Sequence, residues 1–375
     1  ILGAFSSSLS EKALRYDLTV PFARYVVQHQ NELVFPFKRY QIQPVWRADR
    51  PQHGRFQEFF QCDADVVGST SLWQEVELCQ LYAGVFAALG IEGATIKINN
   101  RKILAGIAEV IGAQEQLIDF TVALDKLDKI GFEGVEKELK EKNFSADAIE
   151  RIAPLMSLAG SAKERLTQLE DFLSNSEIGK DGIEELRFVV SQSEALGVKG
   201  TQLAVDVTLA RGLNYYTGCI FEVAPPAGVK MGSIGGGGRY DDLTAGFGMK
   251  NMSGVGISFG FDRIYLVLEE LGLFPTSVQA QSQIIFLNFG DSTALKCNQL
   301  IASLRQKGLR AEFYPDAVKM KKQLSYANQK QIPWVALLGE EELSRNEVVL
   351  KNMKSGEQVV QPLSNILEYL ISQLA

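Results

Sequence analysis

FKRYQIQPVWRADRPQHGRFQEFFQCDADVVG, residues Phe37 to Gly68, reads as two strands joined by a polar loop. Alternation places Arg39, Gln41, Gln43 and Arg47 on one face of the first strand. The same period places Gln61, Asp63 and Asp65 on one face of the second strand, with Phe60, Cys62, Ala64 and Val66 on the other. The loop from Ala48 to Arg55 carries Asp49, Arg50, His53 and Arg55, and Gly54 lets it turn. An amphipathic ribbon with salt-bridged strands accounts for this pattern in ordinary terms. The chemical alternative is a platform whose guanidinium groups grip phosphate while its carboxylates hold an ammonium group. Arginine suits the first task because its planar fork matches phosphate oxygens bidentately.

Composition narrows the class. The chain has 375 residues, 46% hydrophobic and 22% charged, enough for two or three globular domains. No apolar run approaches the roughly 18 residues of a membrane span. The sequence opens at Ile1 without Met and shows no signal peptide, so an upstream segment is expected. Cys62, Cys79, Cys219 and Cys297 have no metal-ligand spacing and read as reduced, mostly buried thiols of a cytoplasmic protein. Only His29 and His53 are present, which leaves little scope for histidine acid–base chemistry or a multi-histidine metal site. The net charge of −7 argues against wholesale polyanion binding. A local basic groove stays open, because salt screens each charge within about 8–10 Å.

Along the chain, Thr19-Val20-Pro21 predicts a helix start with Thr19 as its cap, just after Asp17. Trp73 to Leu89 reads as a long helix with an apolar stripe at Trp73, Val76, Cys79, Leu81 and Phe86. From Lys102 to about Leu196 helical spacing takes over, with Ser145 and Ser161 as caps and no strand signal between. Strand chemistry returns at Gln202 to Ala210, at CIFEVA from Cys219, and at Gly254 into a helix that carries Arg263 near its start. Pro275 to Gln283 reads as a linker, and strands and helices alternate beyond it as in a compact α/β domain. The organisation is therefore a core in two parts, 1–101 and 197–274, around a helical insertion at 102–196, followed by an α/β domain at 282–375.

Three further features each admit two readings. SIGGGGRYDDL lacks the lysine of a phosphate-binding loop and the spacing of a dinucleotide fingerprint. It is either a bulge or tight loop, or a place where backbone comes close to a small ligand walled by Tyr240. In RGLNYYTG, Arg211 with Tyr215 and Tyr216 is either ordinary packing or an anion and small-ligand site. The basic group Arg305, Lys307, Arg310, Lys319, Lys321 and Lys322 reads most simply as a solvated face.

Taken in order, RYDLT, the KRYQ-to-DVVG hairpin, LARGLNYYTG, GGGGRYDDL and GISFGFDR resemble the landmarks of the histidyl-tRNA synthetases, a class II aminoacyl-tRNA synthetase family, over nearly the whole chain. LARGLNYYTG is the most diagnostic, and the YDLT and QCDAD forms resemble the eukaryote-like branch. The resemblance implies an α+β fold with an antiparallel catalytic sheet of six or seven strands, a helical insertion and an α/β anticodon-binding domain. It also implies a homodimer acting in the cytoplasm. Class II motif 1 is absent from the start of the sequence, so the beginning reads as truncated or abridged.

The implied substrates are histidine, ATP with Mg2+ bridging its phosphates, and the tRNA for histidine. Arg47 would hold the α-phosphate, Arg211 would approach it and the histidine carboxylate from the other side, and Arg263 would stack on adenine and neutralise the γ-phosphate. Asp17, Thr19, Gln61 and Asp65 would bind the ammonium group, while Tyr215, Tyr216 and Tyr240 enclose the imidazole. Arg55 would contact the γ-phosphate and Phe59 would support the adenine; no protein metal ligand is implied. Asn214 departs from the family by replacing the usual Asp, and His53 receives no catalytic role. The alternative is the catalytically silent paralogue that regulates ATP phosphoribosyltransferase. Retention of Arg47, Arg211 and Arg263, together with the additional domain, favours the enzyme.

Overall fold

The computed structural model describes residues 12–210, 215–275 and 282–374. It divides into two compact units, Ile1–Leu273 and Phe274–Ala375. In the first, the hairpin forms as its alternation demands. Strands β1 (Phe37–Trp46) and β2 (Glu58–Val67) pair antiparallel, with Arg39 opposite Asp65, Gln41 opposite Asp63 and Gln43 opposite Gln61. Directly opposed residues share a face, so cationic, amide and acidic side chains converge on one surface. Gly54 turns the loop with φ +69°.

Five more strands complete this sheet: β3 (Ala94–Asn100), β4 (Thr201–Val205), β5 (Cys219–Ala224), β6 (Gly235–Tyr240) and β7 (Gly254–Gly260). The order across it is β1-β2-β7-β6-β5-β3-β4. Every neighbouring pair is antiparallel except β3 with β4, which corrects the expectation of a purely antiparallel sheet. Between those two strands run the helices from Arg101 to Leu196, and a long helical crossover is what parallel pairing requires. Ser145 and Ser161 cap two of these helices, accepting from the backbone N–H of Ala148 at 3.1 Å and Glu164 at 3.3 Å.

Other expectations need correction. Thr19 is the first residue of the helix Thr19–Gln28, whose N-cap is Leu18; the side chain that satisfies the first turn is Asp17, accepting from Val20 N–H at 3.3 Å. In the helix Trp73–Ala88, Leu81 and Trp73 are exposed while Leu78 and Tyr82 are buried. The expected strand at Gln202 stops at Val205, because Asp206 folds back to accept from the backbone and hydroxyl of Thr208. The strand β3 and the short helix Glu340–Ser344 were not anticipated.

The glycine cluster is neither a bulge nor a loop but the regular strand β6, in the middle of the sheet. Its composition follows from crowding: a Cβ on Gly237 would lie 2.2 Å from the Gly256 carbonyl oxygen. Tyr82 packs beneath, its hydroxyl donating to the carbonyls of Gly236 and Ser258 at 3.1 Å each. Below the sheet, Tyr82, Phe86 and Phe259 form an aromatic cluster, continuous with the core of the helical segment.

The second unit carries a five-stranded sheet built from β8 (Ile284–Phe286), β9 (Ala311–Phe313), β10 (Trp334–Leu337), β11 (Glu347–Asn352) and β12 (Gln358–Pro362). Its order is β12-β11-β10-β8-β9, parallel at β9-β8-β10 and antiparallel beyond. The helices Asp291–Gln306, Met320–Gln329 and Ile366–Leu374 accompany it.

One buried ion pair fastens the first helix–sheet layer of the larger unit. Arg239 at the end of β6 meets the fully buried Glu75, with its Nη2 2.7 Å from Oε2. Removing one partner strands a buried charge, so Glu75→Ala should lower stability by about 3–5 kcal/mol. Denaturant midpoints would measure this; a loss under about 1 kcal/mol would show that Arg239 finds another partner.

Candidate active site

The inner face of the hairpin opens onto a cavity of about 1010 Å³. Eleven of the residues singled out from the sequence line it: Asp17, Thr19, Arg47, Arg55, Phe59, Gln61, Asp65, Tyr215, Tyr216, Tyr240 and Arg263. Arg211 and Asn214 lie outside the described residues.

At one end the wall is acidic and aromatic. Asp65 is nearly sealed from solvent: Arg39 Nη2 forms an ion pair with it at 3.1 Å from Oδ2, an oxygen that receives no hydrogen bond, and the Tyr240 hydroxyl donates to Oδ1 at 2.6 Å. A Cβ at Gly256, directly across in β7, would lie 2.0 Å from the same Oδ1, so this strand must carry glycine there. Arg39 also donates to the Leu18 carbonyl at 3.1 Å and rests over the ring of Phe22, which ties β1 to the segment holding Asp17. The rings of Tyr215 and Tyr216 meet edge-on at 5.0 Å, and Tyr215 meets Tyr240 at 6.1 Å. Burial pushes all three phenols up, so they stay protonated and can donate hydrogen bonds.

Burial dominates the acids as well. It raises Asp17 and Asp65 above the usual carboxylate range, with Arg39 pulling each back. Asp63 is pushed up to about 7, first by burial and further by Asp65 and Asp17, against the hydrogen bond to Ser258 and the charge of Arg39. Beside it, Gln61 Nε2 donates to Ser258 Oγ at 3.3 Å, while its buried Oε1 has no hydrogen-bond partner. An unpartnered buried acceptor on a residue that lines the cavity would be stabilised by a donor.

At the other end the wall is cationic and planar. Arg47 follows β1, donates to the Tyr16 carbonyl at 3.3 Å and lies over the rings of Tyr16 and Phe59. Arg263 stands in the first turn of the helix Phe261–Glu270, as its place after β7 predicts. Its Nε donates to the Gly54 carbonyl and its Nη1 to the Ser233 carbonyl, each at 2.6 Å, which fixes the guanidinium plane. Arg55 is half-exposed and loosely paired with Asp49 at 3.9 Å. Such a site can hold a polyanion at one end and an ammonium-bearing ligand at the other.

Alternation in the sequence puts Arg39 and Asp63 on this face but gives neither a role in the site. The sequence reading also omits Asp262, whose Oδ2 accepts from Phe60 N–H at 2.8 Å, and the helical wall beyond the tyrosines. Local spacing carries no sign of that wall, because it forms only when residues about 100 apart in the chain meet.

The acid cluster makes stability depend on pH. Between an unfolded value near 4 and the folded value of about 7, native Asp63 holds a proton that the unfolded chain releases. Stability therefore falls as pH rises across this window and levels off above it. Asp63→Asn should flatten that fall, as urea midpoints at pH 5 and pH 8 would show; a variant that falls as steeply as the parent would place the titration elsewhere.

Comparison with known proteins gives a consistent result. A family model described as Histidyl-tRNA synthetase matches residues 7–264, and one described as Anticodon binding domain matches residues 281–373. The histidine–tRNA ligase of Flavobacterium johnsoniae is 65% identical over 358 residues, 96% of this chain and 75% of the relative. That of Christiangramia forsetii is 65% identical over 353 residues, 94% of this chain and 77% of the relative. Among solved structures, histidyl-tRNA synthetase from Nostoc sp. PCC 7120 superposes with a TM-score of 0.80 at 32% identity, covering 96% of this chain and 84% of that one. A Bacillus halodurans protein titled ATP phosphoribosyltransferase regulatory subunit/histidyl-tRNA synthetase shares the fold, with a TM-score of 0.67 at 22% identity over 83% of this chain and 77% of that one.

Proposed function

The chain belongs to the histidyl-tRNA synthetase family, and from that premise we propose that it ligates L-histidine to its cognate tRNA through a histidyl-adenylate. Relatives at 65% identity carry the name histidine–tRNA ligase, which favours the charging enzyme over the regulatory paralogue. The observation that carries the mechanism is the single cavity lined by Arg47 and Arg263 together with the buried acids Asp17, Asp63 and Asp65.

The histidine carboxylate attacks the α-phosphorus of ATP and pyrophosphate leaves. A ribose hydroxyl of the terminal adenosine of the tRNA then takes the acyl group and AMP departs. The nucleophiles belong to the substrates, so the protein supplies orientation and charge. Arg47 and Arg211 hold the α-phosphate from two sides. Arg263, with its plane set by two carbonyls, stacks on adenine and meets the γ-phosphate, while Phe59 and Arg55 support the base and the phosphate tail. Gln61, with its unpartnered acceptor, takes the ammonium group together with Asp17, Thr19 and the charge of Asp65. Tyr215, Tyr216 and Tyr240 close around the imidazole.

The described residues contain no cluster of three or more His, Cys, Asp or Glu able to hold a resident metal. Magnesium enters as part of the substrate, bound to the phosphates of ATP. Family membership supports a homodimer in the cytoplasm, and no helix among the described residues is long and apolar enough to cross a membrane.

Histidine-dependent exchange of pyrophosphate into ATP tests this reading; exchange is expected, and its absence from the purified protein would overturn the ligase assignment. Arg211→Ala should reduce exchange by about 10²–10³ with the fold intact, as loss of one preorganised cation at the reacting phosphate predicts. An unchanged rate would remove Arg211 from the site. Deleting residues 282–375 should depress tRNA charging more than exchange, whereas equal losses would assign that unit to folding.

A further inference from the structure

Asp63 lines the cavity, and the activation step leaves it without a task. The register sets it in β2 with Gln41 directly across in β1 and Ser258 directly across in β7. It is 2% exposed. Arg39, the cation of this patch, makes its ion pair with Asp65 instead. Gln41 turns its amide along its own strand, accepting from Arg39 and donating to Gln43, each at 3.0 Å. The other titratable groups around Asp63 are Asp65 and Cys62 on its own strand, Asp17 before the helix Thr19–Gln28, Tyr82 beneath the sheet and Tyr216 on the cavity wall. None of these is a cation. Burying one more acid in such company is costly, and a neutral side chain would pack here at less cost.

What the carboxylate does at this position is order an amide. Gln61 stands two residues before Asp63 on the same face of β2. Its Nε2 donates to Asp63 Oδ1 at 3.4 Å and to Ser258 Oγ at 3.3 Å, so both amide protons are taken. Ser258 is itself hydrogen-bonded to Asp63, which closes a triangle of three side chains. Gln61 Oε1, buried and without a partner among the described residues, is the atom left over. A carboxylate only accepts, so an overturned Gln61 amide would set its carbonyl oxygen against Asp63 with no proton between them. An amide at position 63 would tolerate either orientation, because it can donate or accept. Ionised Asp63 therefore decides which end of Gln61 is kept for a ligand.

We propose that Asp63 is a positioning residue for the amino-acid substrate, holding the Gln61 amide by its NH2 group so that Oε1 is reserved for the ammonium group. The inference rests on the ligase reading, in which Gln61 takes that ammonium. Asp63 acts through Gln61 and needs no contact with histidine of its own.

The experiment uses the full chain at pH 8, above the folded value of about 7, so that the Asp63 carboxylate is ionised. Asp63→Asn keeps the shape of the side chain. It should raise the KM for histidine in pyrophosphate exchange by about 10-fold, the worth of one buried hydrogen bond, with kcat and the KM for ATP within about twofold. Two competitive inhibitors separate this from a loosened pocket. Histidinol keeps the ammonium group and should weaken by the same factor, whereas imidazolepropionate lacks it and should inhibit as before. In a Gln61→Ala background, Asp63→Asn should have no further effect on the histidine KM. Equal weakening of both inhibitors would overturn the proposal in favour of a loosened pocket. A full further loss in the Gln61→Ala background would overturn it in favour of a charge acting on the ammonium by itself. A parent that exchanges pyrophosphate normally, with a histidine KM unmoved by Asp63→Asn, would sink this inference alone. A parent without exchange would sink the ligase reading, and this inference with it.

Discussion

Desolvation of carboxylates governs this molecule. Asp17, Asp63 and Asp65 are buried within one patch, and burial is the leading cause of the upward shift in each. Isolated charges in such a place would neutralise or drag water in. Arg39 makes the patch tolerable by pairing with Asp65, binding the Leu18 carbonyl and resting on Phe22. Tyr240 adds a hydroxyl donor, and glycine at 256 leaves room for the carboxylate. The hairpin register, the glycine-bearing strands and the aromatic wall all keep negative potential in a dry place facing a cavity. A ligand ammonium entering that cavity meets a field already paid for during folding.

The activation step needs little from protein nucleophiles. Two histidines suffice for the whole chain because the reacting groups arrive with the substrates. Geometry replaces reactivity: Arg263 is clamped by two carbonyls, Arg47 lies over two rings, and the phenols stay protonated. The same cavity also has an apolar stretch of wall, Leu117, Ile118, Val122 and Ile178, supplied by the helical segment between β3 and β4.

The hairpin was legible in the sequence because period-2 alternation over ten residues per strand leaves only one face for Arg39, Gln41, Gln43, Gln61, Asp63 and Asp65. Ser145 and Ser161 were legible as caps for an equally local reason, a hydroxyl three residues before an orphan amide. What could not be read depends on partners distant in sequence. Glu75 looks like a surface residue of a helix until Arg239, far along the chain, buries against it. Gly235 to Gly238 look like a loop until neighbouring backbones and Tyr82 are seen to crowd the positions where side chains would stand. Thr19 resembles a cap by composition, but Asp17 reaches the free amide first. Arg39 is half of a salt bridge in one reading and the counter-charge of an acid patch in the other, and only three-dimensional proximity separates them.

The parallel pairing of β3 with β4 has a consequence for how the chain acquires its shape. Asn100 ends one strand and Thr201 begins the other, so their ladder closes a loop of about 100 residues, at an entropic cost that grows only with the logarithm of its length. Were that loop featureless, closure would be a slow search. Here it is filled by helices with local contacts, which can form in microseconds and shorten the distance to be searched. The helical block thereby serves as a folding scaffold for the edge of the sheet, and synthesis from the ribosome delivers it before its closing strand emerges.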